Sequence, residues 1–195
     1  MKKLSKQNLK FLFLVATIMV VGVGIAYAAL STTLNITFGS VTQSALEWNV
    51  GFQGNSATAT AAGTSSTGRS CGTATITPST VTVADTTLSK PGDKCTYTLT
   101  VANSGTVGAV LASITPTAPS GITCGTATTG NLVCGNITYK LTSDSAGNTV
   151  LPTGTNLAAG ATQTIYLVIS YNAETLQSTA ITHTGAKFTL VYNQA

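Results

Sequence analysis

Charge is scarce in this chain. Only 7% of its 195 residues are charged, with 9 Lys and Arg, 5 Asp and Glu, and one His, whereas about 25% is usual. Lys2, Lys3, Lys6 and Lys10 all precede an apolar run, and the rest of the chain carries five cations against five acids. That neutrality excludes an electrostatic footprint for nucleic acid or anionic lipid. Proton-transfer chemistry also has few groups to use.

Catalytic and metal motifs are absent as well. The sequence contains no H-E-x-x-H, no G-x-S-x-G, no P-loop, no Rossmann fingerprint and no D-x-D-x-D calcium loop. His183 stands among hydroxyl side chains and is interpreted as a surface residue, while Glu47 and Trp48 are assigned to packing rather than to a glycan-binding surface. We expect no catalytic residue, no metal ligand and no cofactor. With so few candidate groups for catalysis, a secreted hydrolase is the weakest functional hypothesis for this chain.

Residues 1–28 have the pattern of a secretory signal peptide. A basic stretch to Lys10 is followed by an apolar run from Phe11 to Ile25 and then by Ala26-Tyr27-Ala28, a small-x-small cleavage pattern. Cleavage between Ala28 and Ala29 is expected. An uncleaved anchor is the alternative, although the run is shorter than the roughly 20 residues that span a bilayer. The protein is therefore expected outside the cell, in an extracellular matrix or at the cell surface.

The remaining residues, 29–195, predict one all-β domain. Short alternating runs rich in Thr, Val, Ile and Tyr are separated by Gly, Pro, Asn and Ser, and there is no helical stripe. The clearest runs are Leu30–Phe38, Leu46–Phe52, Thr73–Thr77, Val81–Val83, Cys95–Asn103, Val107–Ile114, Ile137–Leu141, Thr162–Tyr171 and Lys187–Tyr192. Threonine, of which there are 38, suits the solvent face of a strand. Nine or so strands with short turns predict a two-sheet antiparallel sandwich or a jelly roll.

One stretch departs from this pattern. Residues 54–70 contain no large apolar side chain and are of low complexity. They predict a surface loop or a weak edge strand rather than a domain boundary.

The four cysteines of an exported chain are expected in disulfides. Cys124 and Cys134 flank a turn-like segment, so a hairpin bridge between them is the simplest arrangement, and Cys71 then pairs with Cys95. Three pairings are formally open, and this is the one we expect. The gaps of 23, 28 and 9 residues and the lack of a C-x-x-C pair argue against zinc.

The strand directly after the cleavage site is a candidate connector. One face carries Leu30, Leu34, Ile36 and Phe38, with Thr32 between them. A terminal strand of this kind either pairs within its own domain or inserts into the sheet of a neighbour. The second arrangement is head-to-tail and does not close, so it makes a filament. The alternation alone leaves both open.

Three segments resemble the TasA/camelysin family of secreted biofilm-matrix proteins. The end of the leader, Gly24–Ser31, is similar to signals cleaved by the SipW-type signal peptidase. The segment Leu88–Gly105, with Pro91-Gly92-Asp93 leading into a strand, is similar to the L-x-P-G-D element of the family, and Leu157–Asn172 resembles a later turn and strand. The resemblance implies a jelly-roll subunit that polymerises through its N-terminal strand into extracellular fibres.

The sequence therefore predicts a secreted structural subunit that is not an enzyme. Its expected partners are further copies of itself, joined head to tail through residues 29–38, together with a signal peptidase and other matrix or cell-surface proteins. No nucleic-acid partner is expected. The alternative is a monomeric β-sandwich module for adhesion or ligand binding, in which Leu30–Phe38 completes its own sheet.

Overall fold

A computed structural model describes residues 46–63, 68–172 and 178–195. The leader, the expected cleavage site at Ala28 and Ala29, and the candidate connector 29–38 lie outside the described residues, and so do 64–67 and 173–177. The elements in the described part are all β-strands. No helix in that part is long and apolar enough to cross a membrane. The predicted all-β class is confirmed.

Twelve strands follow one another along the described chain. They are β1 (Val50–Gln53), β2 (Ser56–Ala57), β3 (Ala59–Ala62), β4 (Ala74–Ile76), β5 (Val81–Val83), β6 (Lys94–Asn103), β7 (Ala109–Thr117), β8 (Asn131–Cys134), β9 (Ile137–Thr142), β10 (Asn156–Leu157), β11 (Thr162–Tyr171) and β12 (Lys187–Gln194).

The largest sheet has six strands and is built around β6 and β11. Its order is β1-β6-β11-β9-β8, and β3 pairs with β6 alongside β1. The antiparallel register places Leu99 of β6 opposite Ile165 of β11. Alternation along β6 turns Tyr97, Leu99 and Val101 inward, where they are 0%, 3% and 2% exposed. The long period-2 runs therefore form the centre of the fold.

Two three-stranded antiparallel sheets complete the structure, with the orders β10-β7-β12 and β2-β4-β5. Leu111 and Ile114 of β7 share one apolar core with Leu99 and Ile165 of the six-stranded sheet, and Ile76 of β4 belongs to the same core. This packing of antiparallel sheets is consistent with a β-sandwich. The strand order does not establish the jelly roll that the sequence led us to expect.

The outer face of the large sheet is partly covered, which the alternation of β11 did not predict. Val168 points away from the core side that Ile165 faces, yet it is 3% exposed. The turn around Gly147 lies over it, and a Cβ on Gly147 would stand 3.2 Å from a Val168 methyl carbon. Lys140 donates from Nζ to the Gly147 carbonyl at 3.4 Å. The turn around Gly147 thus covers part of the outer face of the six-stranded sheet, which we expect from the sequence to be exposed to solvent.

Several threonines are also less exposed to solvent than the predicted solvent-facing role implies. Thr96, Thr138 and Thr142 are 6%, 5% and 0% exposed. The Thr142 hydroxyl oxygen lies 2.8 Å from the Asp144 carbonyl oxygen and 3.3 Å from that of Tyr166, and its single proton is donated to one of them at a time. The buried hydroxyl of Thr142 is therefore satisfied by backbone acceptors.

The structure contains the disulfides Cys71–Cys95 and Cys124–Cys134, which is the pairing expected from the sequence. Each bridge joins a loop to a strand through a cysteine with no exposed surface, Cys95 in β6 and Cys134 in β8. Two disulfides indicate an oxidising, extracellular-type environment.

The predicted surface loop 54–70 is partly strand. It contains β2 and β3, and β3 pairs with the beginning of β6, with Ala59 opposite Tyr97. The small Ala and Thr side chains of β3 leave most of it exposed while its backbone completes the ladder. This is the weak edge strand that the sequence offers as the alternative to a surface loop, and the small side chains of β3 carry no apolar alternation that would decide between the two.

Candidate functional site

The edge of the large sheet at β1 is incompletely covered. Ser104 donates its N–H to the Asn49 carbonyl at 2.8 Å, and Thr106 donates to Glu47 at 2.9 Å. The alternation of an antiparallel ladder then turns the backbone groups of residues 48, 50 and 52 away from β6. Of these, the Phe52 N–H donates to the Pro78 carbonyl at 2.9 Å. No described strand pairs with this side of β1.

Strand β12 forms a second free edge. It pairs with β7 on one side, and no described strand pairs with its other side. Phe188, Leu190 and Tyr192 alternate toward the core but stay half-buried. The ladder shifts register between Val191 and Tyr192, which is the kind of irregularity that twists an edge strand.

An apolar groove of about 220 Å³ lies between these two edges, and we call it the seam. Its lining includes Val50, Phe52, Pro78, Val101, Leu190 and Tyr192. No charged side chain lines it. Small-molecule sites usually measure about 300–1,000 Å³ and carry convergent polar groups. The seam is smaller, uncharged, mainly apolar with Ser79 in its lining, and bordered by free strand edges, which suits a β-strand better than a small ligand.

Gly51 allows β1 to approach the wall of the seam closely. A Cβ at this position would stand 2.6 Å from the Pro78 carbonyl oxygen, which is too close for any other residue without a backbone shift. The same approach permits the hydrogen bond from Phe52 to Pro78. The glycine therefore sets the width of the seam at one end.

Two further large apolar side chains extend the strip beyond the seam. Leu46 and Trp48 precede β1 at the same parity as Val50 and Phe52, and they are 73% and 46% exposed. Glu47 and Trp48 were assigned to packing. The Glu47 carbonyl accepts the Thr106 N–H, and the Glu47 N–H donates to the Thr106 hydroxyl at 3.0 Å, whereas Trp48 presents nearly half of its surface to solvent. An exposed apolar strip that continues a groove often marks an interaction surface.

His183 contacts Tyr139 and lies in the segment that leads into β12. The distance from the Tyr139 hydroxyl to His183 Nδ1 is 2.9 Å, and the ring centroids are 6.0 Å apart. Burial raises the pKa of Tyr139 to about 12 and lowers the pKa of His183 below its usual value. Both groups are therefore held neutral near pH 7, and the contact ties β9 to the approach of β12.

Two acidic side chains, those of Asp93 and Asp144, accept hydrogen bonds within turns. Asp93 is fully buried, accepts the N–H groups of Ser89 and Lys90 at 2.9 Å each, and lies 3.5 Å from Arg69 Nη1. Asp144 is exposed, and its pKa is lowered by hydrogen bonds first from the Thr149 N–H and then from that of Asn148. No group of three or more potential metal ligands occurs within the described ranges.

Comparisons with known proteins find no match, whether with family models, with curated proteins or with solved structures. The candidate site therefore stands on its own geometry. The sequence predicted a strand over Leu46–Phe52 and another over Lys187–Tyr192. It gave no sign that these two, far apart in the chain, end as open edges on either side of one groove.

Proposed function

We propose that this protein is a secreted structural subunit, related to the TasA/camelysin matrix proteins, that assembles by N-terminal strand exchange into extracellular filaments. Residues 29–38 of one copy occupy the seam of the next. The observation that carries this proposal is the seam, an apolar groove between two free strand edges. The work of such a subunit is mechanical, and it involves no turnover.

The chemistry of the seam supports a strand as its occupant. A free edge offers a row of unpaired backbone N–H and carbonyl groups, and an added strand satisfies them. The half-buried Phe52 and Leu190 offer apolar contacts on either side of the groove. Burying them further is favourable by about 25 cal/mol per Å² of apolar surface removed from water.

The chemistry of residues 29–38 supports this segment as the strand. It is uncharged and presents Leu30, Leu34, Ile36 and Phe38 on one face. The seam is also lined without charge, so no charged side chain from either partner enters the interface, and the amino group that cleavage leaves on Ala29 lies at the end of the segment, before Leu30. At about 3.3 Å per residue, the nine residues of Leu30–Phe38 reach roughly 30 Å when extended, which is long enough to follow an eight-residue strand such as β12.

Export and processing complete the proposal. The disulfides fit an oxidising compartment, and the leader 1–28 supplies the signal for a signal peptidase. Cleavage between Ala28 and Ala29 would free the donor strand. Each copy then both gives and receives a strand, an arrangement that does not close on itself and grows into a filament. Other matrix or cell-surface proteins are the expected neighbours of such a filament.

The test is electron microscopy of purified residues 29–195 under oxidising conditions at neutral pH. We expect the unsubstituted protein to form uniform filaments. Leu34→Asp, which places a charge on the apolar face of the donor, should abolish filaments and leave the free energy of unfolding unchanged. Thr33→Asp, one residue away on the opposite face, is the matched control and should still assemble. Monomers at all concentrations for the unsubstituted protein would contradict the proposal.

The monomeric module is the second candidate, because β1, which lines the seam, follows residues 29–38 closely in the sequence. Residues 39–45 are all that separate Phe38 from the described start of the chain at Leu46, so the strand could turn back beside β1 of its own copy. In that case Leu34→Asp would lower the free energy of unfolding, and the unsubstituted protein would stay monomeric. The same two measurements thus separate the two functions.

A further inference from the structure

Tyr192 carries an unpaired hydroxyl at the seam. Its ring lines the groove, and its hydroxyl oxygen is buried without a hydrogen-bond partner in the described part of the chain. Burial raises its pKa, so the hydroxyl keeps its proton near pH 7 and remains available as a donor. A buried polar group without a partner costs free energy. Two other buried side-chain atoms in the described chain lack a partner, Asn131 Oδ1 and Gln163 Oε1, and of the three residues Tyr192 is the one that lines the seam.

Other tyrosines in the structure show how such hydroxyls are normally satisfied. The hydroxyl of Tyr97 lies 2.9 Å from the Thr86 hydroxyl, that of Tyr139 lies 2.9 Å from His183, and that of Tyr171 accepts from Asn136 at 3.3 Å. Tyr192 differs from these three in lying at the seam. Its missing partner is therefore expected from whatever occupies the seam.

The candidate donor strand has one polar residue on its apolar face. Leu30, Leu34, Ile36 and Phe38 share that face with Thr32. A threonine hydroxyl that enters an apolar groove loses its water and needs a new partner. The structure already contains a tyrosine–threonine pair of this kind in Tyr97 and Thr86.

We propose that Thr32 of the incoming strand pairs with Tyr192 of the receiving subunit and thereby fixes the register of strand exchange. The Tyr192 ring turns toward the groove as the strand enters. This inference rests on the proposed assembly through residues 29–38. Its consequence is specificity, since it decides which of several apolar registers the filament adopts.

A register device is needed because the apolar pattern repeats every two residues. A slip by one residue turns the apolar face of the donor outward and is strongly disfavoured. A slip by two residues puts Leu30 or Leu34 where Thr32 had been and keeps the same face inward. Only a polar pair separates these registers, in the way that a single buried polar residue fixes the register of a coiled coil.

The experiment measures the critical concentration for filament growth of the exported, processed chain in four forms. These are the unsubstituted protein, Thr32→Val, Tyr192→Phe and the double variant. We expect each single change to raise the critical concentration about tenfold, because each leaves one hydroxyl unpaired in the filament. The double variant should return to within about threefold of the unsubstituted protein, since both hydroxyls are then absent.

The urea midpoint of the monomer gives an independent test of the role of Tyr192. Tyr192→Phe removes a buried unpaired hydroxyl from the empty subunit, so the urea midpoint should stay the same or rise while assembly weakens. If Tyr192 had only a structural role, Tyr192→Phe would lower the urea midpoint of the monomer as well as weaken filament assembly. Thr33→Val on the opposite face of the donor, and Tyr166→Phe on the other face of β11 from Ile165, are matched controls that should change the critical concentration less than about twofold.

A swapped variant, Thr32→Leu with Leu34→Thr, tests the register itself. Moving the hydroxyl by two residues should shift the donor strand by about 7 Å and change the axial repeat of the filament accordingly. Additive effects of Thr32→Val and Tyr192→Phe, or an unchanged repeat in the swapped variant, would overturn the inference while filaments still form. Failure of the unsubstituted protein to assemble would overturn the proposed function, and the inference with it.

Discussion

The six-stranded sheet ends differently on its two sides. At β8 the edge is closed, because Leu132 and Cys134 are 2% and 0% exposed and Cys124 forms both a β-bridge and a disulfide with Cys134. Gly125 also donates its N–H to the Val133 carbonyl at 2.8 Å. At β1 no residue is fully buried, and the outward cover in the described chain is the turn at Pro78.

The two sides show two ways of handling the same liability. An exposed strand edge invites pairing with other chains, and native proteins usually cover or charge it. The β8 side is covered by a segment tethered through a disulfide. β1 itself has no charged residue and no described strand covers its outer edge, although large apolar side chains lie beside it. A fold that can close one edge and leaves the other open has an edge suited to assembly.

The largest expected effect tests the closed side. Leu132→Ala should lower the free energy of unfolding by about 3.5 kcal/mol, because a fully buried leucine leaves a cavity when it is truncated. Urea unfolding of the purified monomer measures it. A loss below about 1 kcal/mol would mean that the β8 edge is looser than its burial indicates, and the contrast between the two edges would weaken.

The second effect concerns the tether. Replacing Cys124 and Cys134 together by alanine should cost about 2.7 kcal/mol, the loop-closure term for a bridge with a sequence separation of 10. The amides of β8 should exchange faster with solvent, since the segment at Cys124 and Gly125 is then free to detach. The protein with both disulfides intact is the reference. Unchanged exchange at β8 would show that hydrogen bonds alone hold the edge closed.

The third effect tests the open side with the same chemistry as the first. Leu190→Ala should lower the free energy of unfolding of the monomer by about 1 kcal/mol, because Leu190 is half-buried in the seam and its removal leaves no enclosed cavity. Unfolding at concentrations well below any assembly threshold measures it. A loss as large as that of Leu132→Ala would mean that the seam is already filled in a single copy, which would favour the monomeric module.

Local pattern predicted the centre of the fold well and its edges poorly. The bounds of β5 and β11 agree with the expected runs, and β6 begins one residue early, because these strands alternate strongly. Alternation does not reveal β8 and β10, because four and two residues carry little periodic signal, and the strand at Cys134 is predicted only through the expected hairpin disulfide with Cys124. The cover over Val168 depends on where a loop folds back, which the alternation of β11 does not contain.

The candidate site was harder to predict than the strands that form it. Val50 and Tyr192 are distant in sequence, and they meet because of the order of strands within two different sheets. Strand order depends on long-range packing, so a single sequence does not reveal which edges remain free. The unpaired hydroxyl of Tyr192 was likewise invisible, since the sequence marks Lys187–Tyr192 as one more half-buried strand.

The smallest predicted effect tests whether the contact between His183 and Tyr139 holds β12 in place. Tyr139 lies in the part of the six-stranded sheet that ends at β8. His183 lies ahead of β12 and contacts Tyr139 of β9, the strand next to β8. Burial lowers the pKa of His183 below the unfolded value of about 6.5, so the unfolded chain binds more protons in acid. Stability should therefore be full above pH 6.5 and should fall as the pH drops through the lowered pKa, by less than about 1 kcal/mol for a group this exposed.

The single histidine makes this measurement specific, because His183→Gln removes the only imidazole in the chain. Urea unfolding at pH 7 and pH 5 should show the loss, and His183→Gln should remove the difference. Faster amide exchange in β12 at pH 5, with β8 unchanged, would place the coupling at the open edge. If His183→Gln showed the same pH dependence as the unsubstituted protein, the contact with Tyr139 would not be what holds β12. The position of β12 at the seam would then depend on its pairing with β7.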